Sequence, residues 1–598
     1  MASPATTQTV RPLDTLRFDA SGPPQITSVV TDHLRLLGAR PDRPVHVDAP
    51  AVGTTLTGGG FAPAHAAATW ADPASGLADE ATVQAATGIM AVHGRRDGTP
   101  RGLAVDYAAT TTAVLAVQGL LANLVGQARG AAPAQVTTGA DRAGLLAVSQ
   151  YLAAAGADEG EAAEIAVGGP PFTSADGTVF ELETLDPGAW AAFWKALEAP
   201  ADALRTGWRP FQFRYATACA PLPAALHTTA RSHGWDRIRR AAAASGAEVC
   251  ALRSLADRAA EHDGAAPWSL TPSTAPAAGS ARSVRPAGVR RKSAGPLTGL
   301  TVLEAGRRIQ APLAAHLLGL LGADVIRIEP PGGDPLRGMP PACSGISARW
   351  LALNRGKRAV EIDIKAEADR GRLRDMAAHA DVFLHNWAPG KAAALGLDAD
   401  DLARVNPALV HAYTSGWADR LGDAPMGTDF MVQARTGVGE AVRPDGEPPA
   451  PSLMTLLDVL GGLLGAEAVL AGLLLRERTG RGVRVDSSLL GAADMLTGPA
   501  LRRAARGQNP RRPAGFRYPL ATADGWIAPA DADARAAAGH DLRGLPTAEA
   551  LSRLREHGLT ATAVTTELSD LHDDPRFAGS IGRDAHGAPA VPDPWSFV

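Results

Sequence analysis

Two stretches of this chain are apolar around the whole circumference of a helix, and the same polar signature precedes each. LLDVLGGLLGAEAVLAGLLL at 456–475 has no hydrophilic face. That pattern predicts a helix buried on all sides rather than an amphipathic surface helix. Asp458 and Glu467 interrupt the run, which argues against a membrane span. A second apolar helical run follows Asp106. Upstream of the two lie VQAATGIM, from Val83, and VQARTGVG, from Val432. In each case a turn, an aspartate (Asp106 or Asp458), the apolar run and a glycine (Gly130 or Gly482) follow, with identical spacing from aspartate to glycine. A repeat this widely separated is no solenoid period; it predicts two diverged copies of one module.

Beyond the linker the pattern alternates between strand and helix. LTVLEA (300–305) reads as a short strand, 311–322 as a helix and DVIRIEP (324–330) as a buried strand. RAVEIDI (358–364), a helix over 368–380 and DVFLHN (381–386) repeat the alternation. The expected fold is α/β with an open, largely parallel sheet, which places ligands at the carboxyl ends of the strands.

The repeat extends further. GGPPFTSADGTVF (168–180) matches GFRYPLATADGWIA (515–528), and 245–255 matches 557–568. The copies are unequal. Residues 25–60 show no strand–QAP–helix–strand pattern, so the first copy is expected to lack the first βαβ unit, while the second is short between Trp526 and Gly558. Residues 264–297, rich in Pro, Ala and Ser, cannot bury enough apolar surface to offset their ordering entropy and read as a flexible linker. The expected organisation is a truncated copy at 1–263, the linker at 264–297 and a second copy at 298–598.

Composition narrows the function. A chain of 598 residues exceeds a single core. Its net charge of −4 gives no field for nucleic acid or an anionic membrane, and Arg290, Arg291 and Lys292 read as solvated linker charge. Cys219, Cys250 and Cys343 lie far apart with no CxxC, so a reducing, cytoplasmic setting without a metal site is expected. The first residues carry neither the basic nor the apolar region of a signal peptide.

Residues 296–500 resemble the class III CoA-transferases, the formyl-CoA transferase or CaiB–BaiF group. The resemblance rests on GLTVLEAGRRIQAPLAAHLLGLLGADVIRIEPPGGDP, NRGKRAVEIDIK, FLHNWAPG, NPALVHAYTSGW, DFMVQARTG and the Asp458 helix, in that order. It implies an α/β fold with a Rossmann-like open parallel sheet and a smaller α+β domain, and two chains threaded as interlocked rings, here two homologous halves in an intrachain pseudo-dimer, so the particle is expected to be a monomeric pseudo-dimer or a homodimer. It also implies a transferase that moves CoA from an acyl-CoA to a free acid, with no tightly bound cofactor. Asp458 takes the catalytic position and would form an aspartyl anhydride and then an aspartyl-CoA thioester. Read locally, Asp458 would N-cap its helix, and the two roles are compatible. Gly461 and Gly462, one turn on, are expected to let backbone approach the thioester.

CoA contacts carried over by the resemblance are Ile309, Gln310 and Ala311 at the start of a helix, Ile362 and Lys365 at the end of IDIK, and Asn386 and Trp387 in a turn. The family's basic residue after that turn is Ala394 here, with Lys391 as a substitute. Gln433 and Asp106 are further candidates. Racemases of the family place a histidine where this chain has Thr428, and threonine is no general base near neutral pH. An acyl-CoA isomerase or lyase, or a non-catalytic acyl-CoA-binding relative, remains the alternative.

Overall fold

The computed structural model describes residues 11–44, 52–274 and 295–598. The first half supplies β1 (Leu16–Ser21), α1 (Pro24–Leu36), β2 (Arg40–Pro41), β3 (Val52–Gly58), β4 (Phe61–Thr69), α2 (Glu80–Ala86), α3 (Tyr107–Ala128) and β5 (Gln135–Gly139). It continues with β6 (Phe172–Thr173), β7 (Val179–Glu183), α4 (Ala201–Thr217), β8 (Glu248–Ala251) and β9 (Trp268–Pro272). The second half begins with β10 (Thr301–Ala305), α5 (Gln310–Leu320), β11 (Asp324–Glu329), β12 (Arg358–Glu361), β13 (Val382–His385) and β14 (Val410–Ser415). Then come α6 (Asp429–Arg435), α7 (Leu456–Thr479), β15 (Val483–Ser488), α8 (Leu489–Ala505), β16 (Leu520–Ala521), β17 (Trp526–Pro529), β18 (Ala561–Ala563) and β19 (Ser596–Phe597).

The second half forms the expected sheet. Its order is β12-β11-β10-β13-β14-β15-β9, with every pair parallel except the last. Counted along this half, the parallel strands run 3-2-1-4-5-6, the doubly wound order that opens a crevice where β10 and β13 diverge. The first half forms a mixed sheet in the order β2-β1-β3-β4-β5-β19.

Two sequence expectations are corrected here. First, the first half does hold a reduced βαβ unit, because β1 and β2 pair in parallel across α1, with Arg17 opposite Arg40. It starts before residue 25, and Leu36–Ala39 repeats the LLGA of Leu320–Ala323. Both glycines of that motif turn the chain with positive φ, 107° at Gly38 and 103° at Gly322, a conformation that favours glycine. What the first half lacks is the succession of parallel strands that follows; the antiparallel β3–β4 hairpin takes their place. Second, the linker assignment is too long. Residues 268–272 are strand β9, paired with β15 (Ser269 opposite Asp486), and 275–294 lie outside the described residues together with Arg290, Arg291 and Lys292.

The exchange of strands is reciprocal. β9 ends the first half and closes the second half's sheet, while β19 ends the second half and closes the first half's sheet against β5 (Ser596 opposite Thr137). Between the two sheets, α3 and α7 lie side by side. Both are long and apolar enough to cross a membrane, yet 100% and 94% of their apolar windows are buried inside the protein. Their contact includes two side-chain bonds to backbone, Tyr107 Oη to the Leu456 carbonyl at 2.9 Å and Gln118 Nε2 to the Leu463 carbonyl at 2.6 Å.

Glu467, the charge inside the apolar run, is wholly buried and meets His33 Nδ1 from α1 at 2.8 Å. Burial disfavours the imidazolium, but the Glu467 carboxylate outweighs it and holds His33 above its ordinary range. The two halves thus share one apolar core with an ion pair set in it.

Candidate active site

A cavity of about 930 Å³ opens at the carboxyl ends of the second half's strands, and both halves build it. The second half contributes Arg308, Ile309 and Gln310 from the β10–α5 junction, Asn386 and Trp387 after β13, the 415–430 segment, and Asp458. The first half contributes Glu183 from β7, Arg214 and Tyr215 from α4, and Glu248 from β8. This is the crevice the strand order creates, roofed by the small three-stranded sheet β6-β7-β8 of the other half.

Asp458 is the third residue of α7, whose N-cap is Thr455. It is therefore not the cap that a local reading assigns. The capping is done by Asp429, at the start of α6. Its Oδ2 accepts the Asp458 backbone N–H at 2.7 Å, while Gln433 Nε2 donates to its Oδ1 at 2.5 Å. Gln433 also exchanges two bonds with the Ser452 backbone, at 3.0 and 2.8 Å. Gln433 is thus wholly buried and fixes the start of α7 from outside the cavity. The Asp458 side chain is left free of capping duty and faces the cavity. Burial raises its carboxyl to about 6, the Arg308 guanidinium opposes the rise, and Glu183 adds to it. Asp429 is pushed up further, by burial and by the Asp458 charge.

The first half repeats this construction with a different outcome. Glu80 stands four residues before Gln84, as Asp429 does before Gln433. Its carboxylate accepts the N–H groups of Ala108 and Ala109 at 2.8 and 2.7 Å. Asp106 then falls just before α3 and makes no side-chain cap. Arg517, whose side chain is 1% exposed, bonds Asp106 at 2.7 Å, Asp531 at 2.6 Å and the carbonyls of Leu103 and Val105. Arg512 adds a second cation at 3.2 Å. In the DGTVFELE and DGWIAPAD repeats Asp531 occupies the place of Glu183. The twin of the cavity thus has its aspartate neutralised, and the cleft beside it is smaller, about 350 Å³.

The predicted CoA contacts divide into three groups. Ile309, Gln310, Asn386 and Trp387 line the cavity with Asp458. Asn386 clamps the β10–α5 loop, accepting the Arg307 N–H at 2.8 Å and donating to the Arg307 carbonyl at 3.0 Å. Trp387 is buried beside Phe383 and His385. Ala311 and Ile362 are core residues, and Lys365 and Lys391 are exposed; none of these four lines the cavity. Gly461 and Gly462 pack toward Gln310 at the start of α5. A Cβ on Gly462 would stand 2.9 Å from the Gln310 carbonyl oxygen and 3.0 Å from Leu313 Cβ. The pair therefore sets how closely α7 approaches the helix that carries Gln310.

Sequence reasoning missed Glu183, Tyr215, Arg308 and Asp429. Asp429 could have been found by extending the VQ repeats four residues upstream, to EATVQ and DFMVQ. Glu183 Oε2 accepts from Thr428 Oγ1 at 2.8 Å, and Arg214 pairs with its other oxygen at 3.0 Å. Among the described residues no cluster of His, Cys, Asp or Glu has the form of a metal site.

The site is thus a crevice in a doubly wound sheet that holds an aspartate near a helix start, closed by the small sheet of the other half. The model of CoA-transferase family III matches residues 69–287 and again 297–576, and the chain belongs to that family. The chain is 35% identical over 233 residues to the acetyl-CoA:oxalate CoA-transferase of Acetobacter aceti, an alignment covering 38% of this chain and 59% of that protein. It is 35% identical over 202 residues to the succinyl-CoA:glutarate CoA-transferase of Mus musculus, covering 33% and 45%. It thus spans about half the length of these curated relatives. A CAIB/BAIF family protein from Brucella suis is 26% identical, with a TM-score of 0.45, over 50% of this chain and 92% of that one.

Proposed function

We propose that this protein transfers CoA from an acyl-CoA to a free carboxylic acid, with Asp458 as the nucleophile. The observation that carries the reading is the contrast between the two aspartates. Asp458 faces a cavity of about 930 Å³ with no ion-pair partner among the described residues, whereas Asp106 is held by two arginines. A carboxyl raised to about 6 is ionised at neutral pH and more basic than an ordinary aspartate, which suits attack on a thioester carbonyl. One Asp458 oxygen adds to the acyl carbon and the CoA thiolate leaves, giving a mixed anhydride. The thiolate then attacks the aspartyl carbonyl and releases the acyl group as a carboxylate, giving the aspartyl-CoA thioester. Burial by the small domain keeps water from these intermediates.

The twofold match of the family model supports a tandem arrangement in which one site is kept. Its large domain comes from the second half and its small domain from the first. The named relatives act on oxalate and glutarate, and here the acceptor is proposed only as a carboxylic acid. An isomerase or racemase would need a second base facing Asp458. Thr428 donates its hydroxyl proton to Glu183, and Glu183 is bound as an acceptor by Thr428 and Arg214, so the transferase reading is favoured. Incubation with an acyl-CoA panel and hydroxylamine, followed by mass mapping, tests it. A hydroxamate on the Asp458 peptide is expected, and its absence with every acyl-CoA would refute the mechanism.

A further inference from the structure

We infer that Arg308 is the residue that binds the carboxylate of the acceptor acid, an inference that rests on the transferase reading above. The acceptor arrives as a carboxylate, and as it attacks the neutral aspartyl thioester negative charge builds on the thioester carbonyl oxygen, so a cation is needed there to hold the acid and to offset that charge. A guanidinium presents a planar fork that fits a carboxylate in a bidentate manner. Arg308 lines the cavity, is exposed to it, and makes no hydrogen bond or ion pair with any described residue. It lines the same cavity as Asp458 and its charge acts on that carboxyl, which marks the reacting end of the cavity. CoA phosphates would lie a whole pantetheine arm away from that end.

The backbone and the neighbours hold Arg308 in place. Its φ is 62°, in the left-handed region that residues with a Cβ adopt infrequently. The conformation is imposed next door, where the Asn386 amide grips both the N–H and the carbonyl of Arg307. The guanidinium is then directed toward the Tyr215 ring of the first half, 5.7 Å from its centroid. Holding an unpaired cation in an unfavourable backbone well is the pattern of a functional position. It also gives the small domain a role, since Tyr215 sets the direction of an arginine that belongs to the other half.

In the second half-reaction a carboxylate oxygen of the acceptor, held by Arg308, attacks the aspartyl-CoA carbonyl carbon. A C–O bond forms, the C–S bond breaks and the CoA thiolate departs. The thiolate then attacks the acceptor's carbonyl carbon in the new anhydride, giving acceptor-CoA and returning Asp458 as a carboxylate. No proton or outside reactant is consumed.

The test uses the full chain and separates the half-reactions. In R308M the hydroxylamine-trapped adduct on Asp458 is expected to form from acyl-CoA with the KM for acyl-CoA changed less than threefold. The KM for the acceptor acid should rise at least tenfold. R308K should recover part of that loss, because it restores charge without the fork. Y215A should raise the acceptor KM in the same direction, and Y215F should not, because the ring is retained. R308G relieves the left-handed position, so it should melt no lower than the wild type while losing acceptor affinity, which separates binding from folding. An equal loss in adduct formation would assign Arg308 to the donor or to Asp458 itself and overturn the inference, as would an unchanged acceptor KM. Wild-type protein that gives no adduct refutes the transferase reading instead, a distinct outcome.

Discussion

The two homologous aspartates should respond in opposite ways to the same chemical change. In D458N the carboxylate of the live cavity becomes a neutral amide of the same shape. The carboxyl sits near 6 in the folded chain and near 3.9 in an unfolded one. The folded state therefore keeps a proton that the unfolded state releases between those values, and stability falls as pH rises through that window. At about 1.4 kcal/mol per pKa unit, holding the charge at pH 8 costs up to about 3 kcal/mol. Solvent in the open cavity and coupling to Asp429 reduce this, so D458N should be more stable by about 1–2 kcal/mol at pH 8 and no more stable at pH 3.5, with transfer abolished.

D106N does the reverse. It removes one of two carboxylates from a wholly buried Arg517. Removing one partner of a buried pair costs about 3–5 kcal/mol. Asp531 and two carbonyls remain around Arg517, so about 2–3 kcal/mol is expected here, with kcat within twofold of the wild type. Urea unfolding of the full chain at the two pH values, beside a CoA-transfer assay, measures both effects. If D106N lost activity at unchanged stability, or D458N retained transfer, the assignment of one live site and one neutralised twin would be wrong.

Two further outcomes follow from the same geometry. The rate of adduct formation should rise with pH through an apparent pKa of about 6 and level off above it, because protonated Asp458 cannot attack; a stopped-flow pH profile that is flat between 5 and 8 would contradict this. G462A places a methyl against the Gln310 carbonyl and Leu313. It should destabilise by about 1–3 kcal/mol and weaken acyl-CoA binding through displaced Gln310, measured by calorimetric titration.

How much was legible in the sequence depended on whether a signal was contiguous. The parallel sheet of the second half could be read because each strand and helix carries its own period, and family motifs flank Asp458 within one stretch. The unit at β1–α1–β2 was hidden for a plainer reason. Its second strand is two residues long, too short to alternate, and its first strand lies before residue 25. The packing of Gly461 and Gly462 against α5 has no such signal, because helix-to-helix approach depends on which helix packs there. Glu183, Arg214 and Tyr215 carry no local mark at all. They matter because folding brings β7 and α4 across from the other half, and tertiary placement of that kind has no period to detect.

The reciprocal strands β9 and β19 bear on how such a molecule can change. In a pair of identical chains every substitution is made twice, once at each site, so a defect cannot be confined to one of them. Two like halves within one chain are released from that constraint. Arg517 pairs with Asp106, whereas Asp458 has no ion-pair partner among the described residues, and the difference is confined to one half. The interlaced strands hold the halves in register throughout, so the half that carries Asp106 also walls the cavity that holds Asp458.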